Sequence, residues 1–158
     1  KLILLLRMGE TKRCRVGLGS LAQHLSTAVG LKFPDLHFKC EIPQPEQRVF
    51  LDPDALTYAV LELAQNSLSA GAGSVFAVLE GGDESVFSFH DDGALGADTV
   101  AIKFREFGYS GWSRSGLGLS IVEGFAAAHG GRLELGAGDQ GLAVSLVLPN
   151  RSEEETDG

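Results

Sequence analysis

Three short stretches of this chain set polar side chains and glycines in arrangements able to handle a charged ligand. In "LELAQN" (61–66), Glu62 and Asn66 stand four residues apart, so on a helix they stack along one stripe bordering the apolar face. A carboxylate beside a carboxamide can position a water and offer oxygen to a hard cation such as Mg²⁺, which keeps several of its own waters. In "HDDGALG" (90–96), two carboxylates close an alternating stretch, just before a glycine that lets the backbone pass beneath a flat ligand. In "SGLGLSIV" (115–122), glycines lead into a helical pattern, placing unpaired backbone N–H groups and the positive end of a helix dipole where an anion such as a phosphate would sit. Each stretch alone has a plainer reading: a solvated helix flank, an Asp-Gly turn, a glycine used for close packing.

The elements that must position these residues can be read from periodicity. "PDALTYAVLELAQNSLSAG" (53–71) is predicted to be a helix with Leu56, Ala59, Val60 and Leu63 on one face. Asp52 precedes Pro53 as a cap followed by proline in the first turn, and Gly71 and Gly73 stop the helix. "LHFKCEI" (36–42) and "RVFLD" (48–52) alternate as half-buried strands. "SVFAVLEG" (74–81) and "ESVFSFHD" (84–91) form a hairpin across Gly81–Gly82–Asp83. A second helix is expected from about Leu117 to His129, then two final strands in "GRLELGAG" and "GLAVSLVLP". Residues 92–116 are a long glycine- and serine-rich stretch with a weak helical piece around "TVAIKFREF". It also carries Tyr109 and Trp112, which reads as a lid rather than disorder.

Composition sets the outer limits. The 158 residues suit one domain with a short appendage, and 44% hydrophobic against 22% charged residues is a globular balance. The net charge of −8 argues against nonspecific binding to nucleic acid or anionic lipid, so any bound anion must be held by local backbone donors or a metal. "LILLL" (2–6) is too short to span a bilayer, and Cys14 and Cys40 show no metal-type spacing, which suits reduced thiols in the cytoplasm. A start without Met suggests a piece of a longer protein, whose membrane anchor, if it has one, lies elsewhere. Residues 1–30 read as an apolar stub, a basic link and a short amphipathic helix with Leu21, Leu25 and Val29 at spacing four. "RSEEETDG" (151–158) reads as a disordered acidic tail.

Taken in order, Glu-x-x-x-Asn, Asp-x-Gly, a long lid and Gly-Leu-Gly-Leu resemble the Bergerat-type ATP-binding fold. That fold is shared by sensor histidine kinases, DNA gyrase, a class of heat-shock chaperones and mismatch-repair ATPases. Within it the chain is most similar to the catalytic ATP-binding domain of a bacterial histidine kinase. "VLELAQNSLSAGA" resembles the N box, "DDGALG" the first glycine box, "FREFGYSG" a modified F box and "SGLGLSIVEGFAAAHGGRLEL" the second glycine box. The "HGG" followed by two strands is the kinase-like detail, and the resemblance covers roughly residues 47–149.

The resemblance implies a two-layer α/β (α+β) sandwich, a mixed, mostly antiparallel sheet packed on helices, over residues 31–150. Residues 1–30 would be the linker and the end of a dimerisation hairpin. It also implies ATP and Mg²⁺ as ligands. Asn66 would hold the cation and Glu62 would polarise a nucleophile or water. Asp91 would accept a hydrogen bond from the adenine amino group, and Gly93, with Gly96, would let the backbone pass the ring. Ser115, Gly116, Leu117, Gly118 and Leu119 would border the phosphates. Ser69, on the nucleotide side, stands where many sensor kinases carry a lysine or another long polar side chain. Leu95 replaces the expected second glycine of the first glycine box, with Gly96 one residue later. The F box keeps Phe104 and Phe107 but has Arg105, Glu106 and Gly108. His129 is expected to cap the second helix rather than to react.

His24 lacks the acidic residue that follows an acceptor histidine, so the phosphoacceptor is expected in a dimerisation domain of the same protein, outside this sequence. The parent would be a homodimer passing its phosphoryl group to a response regulator. Two alternatives stay open: a degenerate docking domain with weak or no ATP binding, favoured by Leu95 and the altered F box, and an ATPase of the gyrase or chaperone kind, favoured by Glu62.

Overall fold

The structure is a computed structural model that describes residues 12–93, 118–136 and 143–150. Along the chain these form β1 (Cys14–Gly17), α1 (Leu18–Lys32), β2 (His37–Glu41), β3 (Arg48–Leu51), α2 (Pro53–Ser69), β4 (Ser74–Glu80), β5 (Glu84–Asp91), α3 (Gly118–Ala128), β6 (Arg132–Gly136) and β7 (Ala143–Pro149). A five-stranded sheet runs in the order β2-β4-β5-β7-β6, and β1 pairs with β3 in a separate two-stranded ribbon. Within the larger sheet only β2 and β4 are parallel. The mixed, mostly antiparallel sheet packed on helices is the architecture expected from the sequence.

Period-two alternation decides which face of the sheet is covered. Val75, Ala77 and Leu79 of β4 lie opposite Asp91, Phe89 and Phe87 of β5, and Val144 and Leu146 of β7 continue the same rows. All of these are buried, whereas Phe76, Val78, Val86 and Ser88 on the other face are only half-buried. The inward residues share one hydrophobic core with Leu56, Ala59, Val60 and Leu63 of α2 and with Ile121, Val122 and Phe125 of α3. Burial of a stripe from each helix against one sheet face gives a two-layer sandwich.

Residues 12–32 depart from the expected division of the chain at residue 30. Leu18, Leu21, Ala22, Leu25 and Val29 of α1 are buried in the same core as α2 and the sheet, so this helix is integral to the domain. Its N-terminus has no side-chain cap. Instead the amides of Leu18 and Gly19 donate to the carbonyls of Gln47 and Pro45, which ties the helix to the β2–β3 connection. The "basic link" before it is β1, a short strand pairing antiparallel with β3. The apolar stub, the expected lid from residue 94 onward with its helical piece, and the acidic tail lie outside the described residues.

"HGG" turns the chain from α3 into β6. The amide of Asp52 donates to His129 Nε2 at 3.0 Å, which makes Nδ1 the protonated nitrogen, donating to the Phe125 carbonyl at 2.9 Å. One neutral imidazole thus joins the end of α3 to the residue that caps α2. Gly130 takes φ +71°, open to glycine at little cost, and a Cβ on Gly131 would run into the Val147 carbonyl and the Leu148 side chain. Burial, opposed by the Phe125 carbonyl, pushes the His129 pKa below its ordinary 6.5.

Two outcomes follow from this packing. Leu25→Ala should lower unfolding stability by about 2–5 kcal/mol through a core cavity, whereas Leu31→Ala, at a position 81% exposed, should change the urea midpoint little. An unmoved midpoint in Leu25→Ala would mean that α1 folds apart from the core. Because the folded pKa of His129 is depressed, its contribution is complete above about 6.5 and is lost as pH falls through the folded value. The urea midpoint should therefore drop more between pH 7.5 and pH 5.5 in the natural chain than in His129→Gln.

Candidate functional site

Helix α2 carries the site, and both of its ends are fixed. The Asp52 carboxylate accepts the amides of Asp54 and Ala55, each at 3.1 Å, and the Lys12 amide at 2.9 Å. Pro53 occupies the first turn. At the other end Gly71 takes φ +87°, and the Ala72 amide returns to the Ser67 carbonyl at 2.9 Å, closing the last turn. Between these caps, Glu62, Asn66 and Ser67 are buried although polar. Buried polar groups normally have hydrogen-bonding partners, and of these side chains the Asn66 Nδ2 has none among the described residues.

Asp91 is the last residue on the inward face of β5, where the alternation Ser85, Phe87, Phe89 would call for another apolar side chain. It is 8% exposed. Ser67 Oγ donates to its Oδ2 at 2.6 Å, and the Gly93 amide donates to its Oδ1 at 3.0 Å. The carboxylate forms one wall of a small recess between α2 and the sheet, whose other walls include Leu63, Val75, Phe89 and Val144. Its walls are apolar apart from the Asp91 carboxylate, the Ser67 hydroxyl and His90.

The two carboxylates of "HDDG" have separate tasks. The Asp92 carboxylate lies outside the core and accepts the amides of Gly73 at 2.8 Å and Ser74 at 3.0 Å, and these bonds hold its pKa below the ordinary 3.8. It pins the end of β5 to the turn after α2. Gly93 sits so close to α2 that a Cβ would lie 3.2 Å from both the Ala70 Cβ and the Ala70 carbonyl. The tight approach keeps the backbone low beside the recess.

Asn66 is 7% exposed, and its buried Nδ2 has no hydrogen-bonding partner among the described residues. Its two amide positions exchange on a flip of the side chain, so the group can offer an oxygen to a cation or an N–H to a phosphate. Glu62 lies one turn earlier on the same stripe, also buried. Ser69 is exposed, with Gln65 Nε2 at 3.4 Å from its hydroxyl. Gly118 and Leu119 begin α3, which packs along α2. Gly96, Ser115, Gly116 and Leu117, like Leu95 and the F box, lie outside the described residues.

The fold therefore gathers Asp91 and Gly93 at one end of α2, on the helix that also holds Glu62 and Asn66. Motif spacing missed Ser67. Its only sequence signal is a small hydroxyl one residue after Asn66, and that position faces the sheet rather than the flank.

Comparison with known proteins identifies the family and the fold. The family described as "Histidine kinase-, DNA gyrase B-, and HSP90-like ATPase" matches residues 51–152, more than half of the chain. No curated protein matches by sequence. Among solved structures, the ATP binding domain of PrrB from Mycobacterium tuberculosis superposes with a TM-score of 0.69 at 23% identity, covering 89% of this chain and 98% of that one. The mycobacterial sensor histidine kinase MprB superposes with a TM-score of 0.63 at 25% identity, over 89% of this chain and 99% of that one. Histidine kinase ThkA, solved in complex with the response regulator protein TrrA, superposes with a TM-score of 0.71 at 18% identity, over 89% of this chain and 42% of the other. The chain belongs to the histidine kinase-, DNA gyrase B- and HSP90-like ATPase family and has the fold of histidine kinase catalytic ATP-binding domains.

Proposed function

We propose that this chain is the ATP-binding catalytic domain of a sensor histidine kinase, with the adenine seated in the recess beside Asp91. The observation that carries the reading is a buried carboxylate on the apolar face of a sheet, clamped as an acceptor and flanked by a glycine whose Cβ would press tightly on Ala70. Asp91 accepts the adenine amino group and Gly93 lets the backbone pass the ring. Asn66 and Glu62 lie further along α2, toward the phosphates. Ser69, Gly96, Ser115, Gly116, Leu117, Gly118 and Leu119 make up the remaining nucleotide contacts in this proposal, with amides at the start of α3 facing the phosphates.

Among the described residues no three His, Cys, Asp or Glu side chains gather into a metal cage. A Mg²⁺ ion would instead be held by Asn66 together with the nucleotide's phosphates, as this ion prefers. The Asn66 Nδ2 is buried with no hydrogen-bonding partner among the described residues, and a flip of the side chain would turn its oxygen to that side for the cation. When bound, the ion neutralises charge on the triphosphate. The chain's own residues supply positioning: Asp91 fixes the base, Asn66 the phosphates, and Glu62 orients the attacking group. Phosphoryl transfer draws most of its catalysis from such positioning and charge stabilisation.

The acceptor in this proposal is a histidine of a dimerisation domain outside the ATP-binding unit. The ATP-binding unit proposed over residues 31–150 also takes in α1, which shares its core. The parent would be a homodimer acting on a response regulator, the kind of protein ThkA was solved with. No helix among the described residues is long and apolar enough to cross a membrane, and the proposed location is the cytoplasm, where ATP is available.

Calorimetric titration with a nonhydrolysable ATP analogue tests the reading. Loss of a hydrogen bond to a charged group costs about 1.5–3 kcal/mol, so Asp91→Ala should weaken binding by about tenfold or more. Asn66→Ala should bind nearly as well as the natural chain without Mg²⁺ and should fail to gain affinity when Mg²⁺ is added. Unchanged affinity in a folded Asp91→Ala protein would overturn the adenine assignment.

A further inference from the structure

A serine in the last turns of a helix usually turns its hydroxyl to solvent or back to the carbonyl four residues earlier. Ser67 does neither. Its Oγ reaches across to β5 and donates to Asp91 Oδ2 at 2.6 Å, with Ser67 5% and Asp91 8% exposed. So short an O–H···O contact marks a charge-assisted bond. The serine backbone is held as well, because its carbonyl accepts the Ala72 amide in the turn that ends α2 at Gly71. On the other side of the carboxylate, the Gly93 amide occupies Oδ1 at 3.0 Å. Donors from two different elements thus fix the plane of a side chain whose χ2 torsion is otherwise broad.

We infer that Ser67 is a positioning residue that sets base selectivity, holding the Asp91 carboxylate as an oriented, acceptor-only group that favours adenine and opposes guanine. The inference rests on the adenine-site reading above. Adenine presents an amino donor at the position where guanine presents a carbonyl acceptor. A fixed carboxylate bonds the first and faces the second acceptor to acceptor, leaving a desolvated polar group without a partner. A site built around one hydrogen bond to the substrate rejects an analogue that lacks the matching donor. Without the Ser67 hydroxyl the carboxylate loses one of the donors that orient it, and the distinction between the two bases shrinks.

The test is calorimetric titration of the 158-residue chain with nonhydrolysable ATP and GTP analogues. The natural chain is compared with Ser67→Ala, Ser67→Thr and Asp91→Ala, and the thermal midpoint of each is measured alongside. The expected result is an adenine-over-guanine ratio about tenfold lower in Ser67→Ala, the size of one charged hydrogen bond, and restored in Ser67→Thr, which keeps the hydroxyl. A structural role alone would shift the midpoint or weaken both analogues equally, with the ratio unchanged. If Asp91→Ala loses adenine binding while Ser67→Ala keeps the natural ratio, the role given to Ser67 is overturned and the adenine site stands. If Asp91→Ala also binds like the natural chain, the adenine-site reading itself is overturned.

Discussion

One buried carboxylate constrains much of this structure. Strict alternation along β5 carries Asp91 onto the face that the core occupies, and an ionised group there is costly unless donors meet it. The donors come from two directions, Ser67 on α2 and the amide of Gly93 just past the strand. For both to reach, the end of α2 must lie against the end of β5. Its turn is closed at Gly71, Asp92 is stapled to Gly73 and Ser74, and Gly93 lies so close that a Cβ would press on Ala70. Each local oddity in this corner contributes to the same arrangement.

The other end of α2 is fixed with similar economy. Asp52 caps the helix and also accepts the Lys12 amide, while its own N–H donates to His129 at the end of α3. The segment that enters the domain, the helix bearing Glu62 and Asn66, and the helix that follows the second glycine box therefore meet at one residue. The "HGG" signature has a physical explanation here: a neutral imidazole bridging two helices, a left-handed turn, and a glycine pressed against β7.

Much of this was legible in the sequence because the strongest signals are local. The cap at Asp52, the apolar face of α2, the glycine stop after it and the 74–91 hairpin each follow from a few neighbouring residues, and the order of Asp-x-Gly and Gly-Leu-Gly-Leu pointed to the family. What escaped notice depends on distant partners. β1 is four residues long with Cys14 and Arg15 exposed, and only its pairing with β3 makes it a strand. α1 shows its apolar spacing plainly, but periodicity does not say which core it enters, and the family resemblance suggested a linker. Ser67 looks like any small helix residue until β5 brings Asp91 beside it, 24 positions later in the chain.

The central assignment is that a purine base binds where α2 meets the end of β5. Amide-resolved NMR titration of the natural chain with a nonhydrolysable ATP analogue and Mg²⁺ tests it most directly. The expected result is saturable shifts concentrated at Ser67, Asp91 and Gly93 and at the Asn66 side-chain amide. Saturable shifts confined to residues away from this corner, with those four signals unmoved, would contradict the assignment.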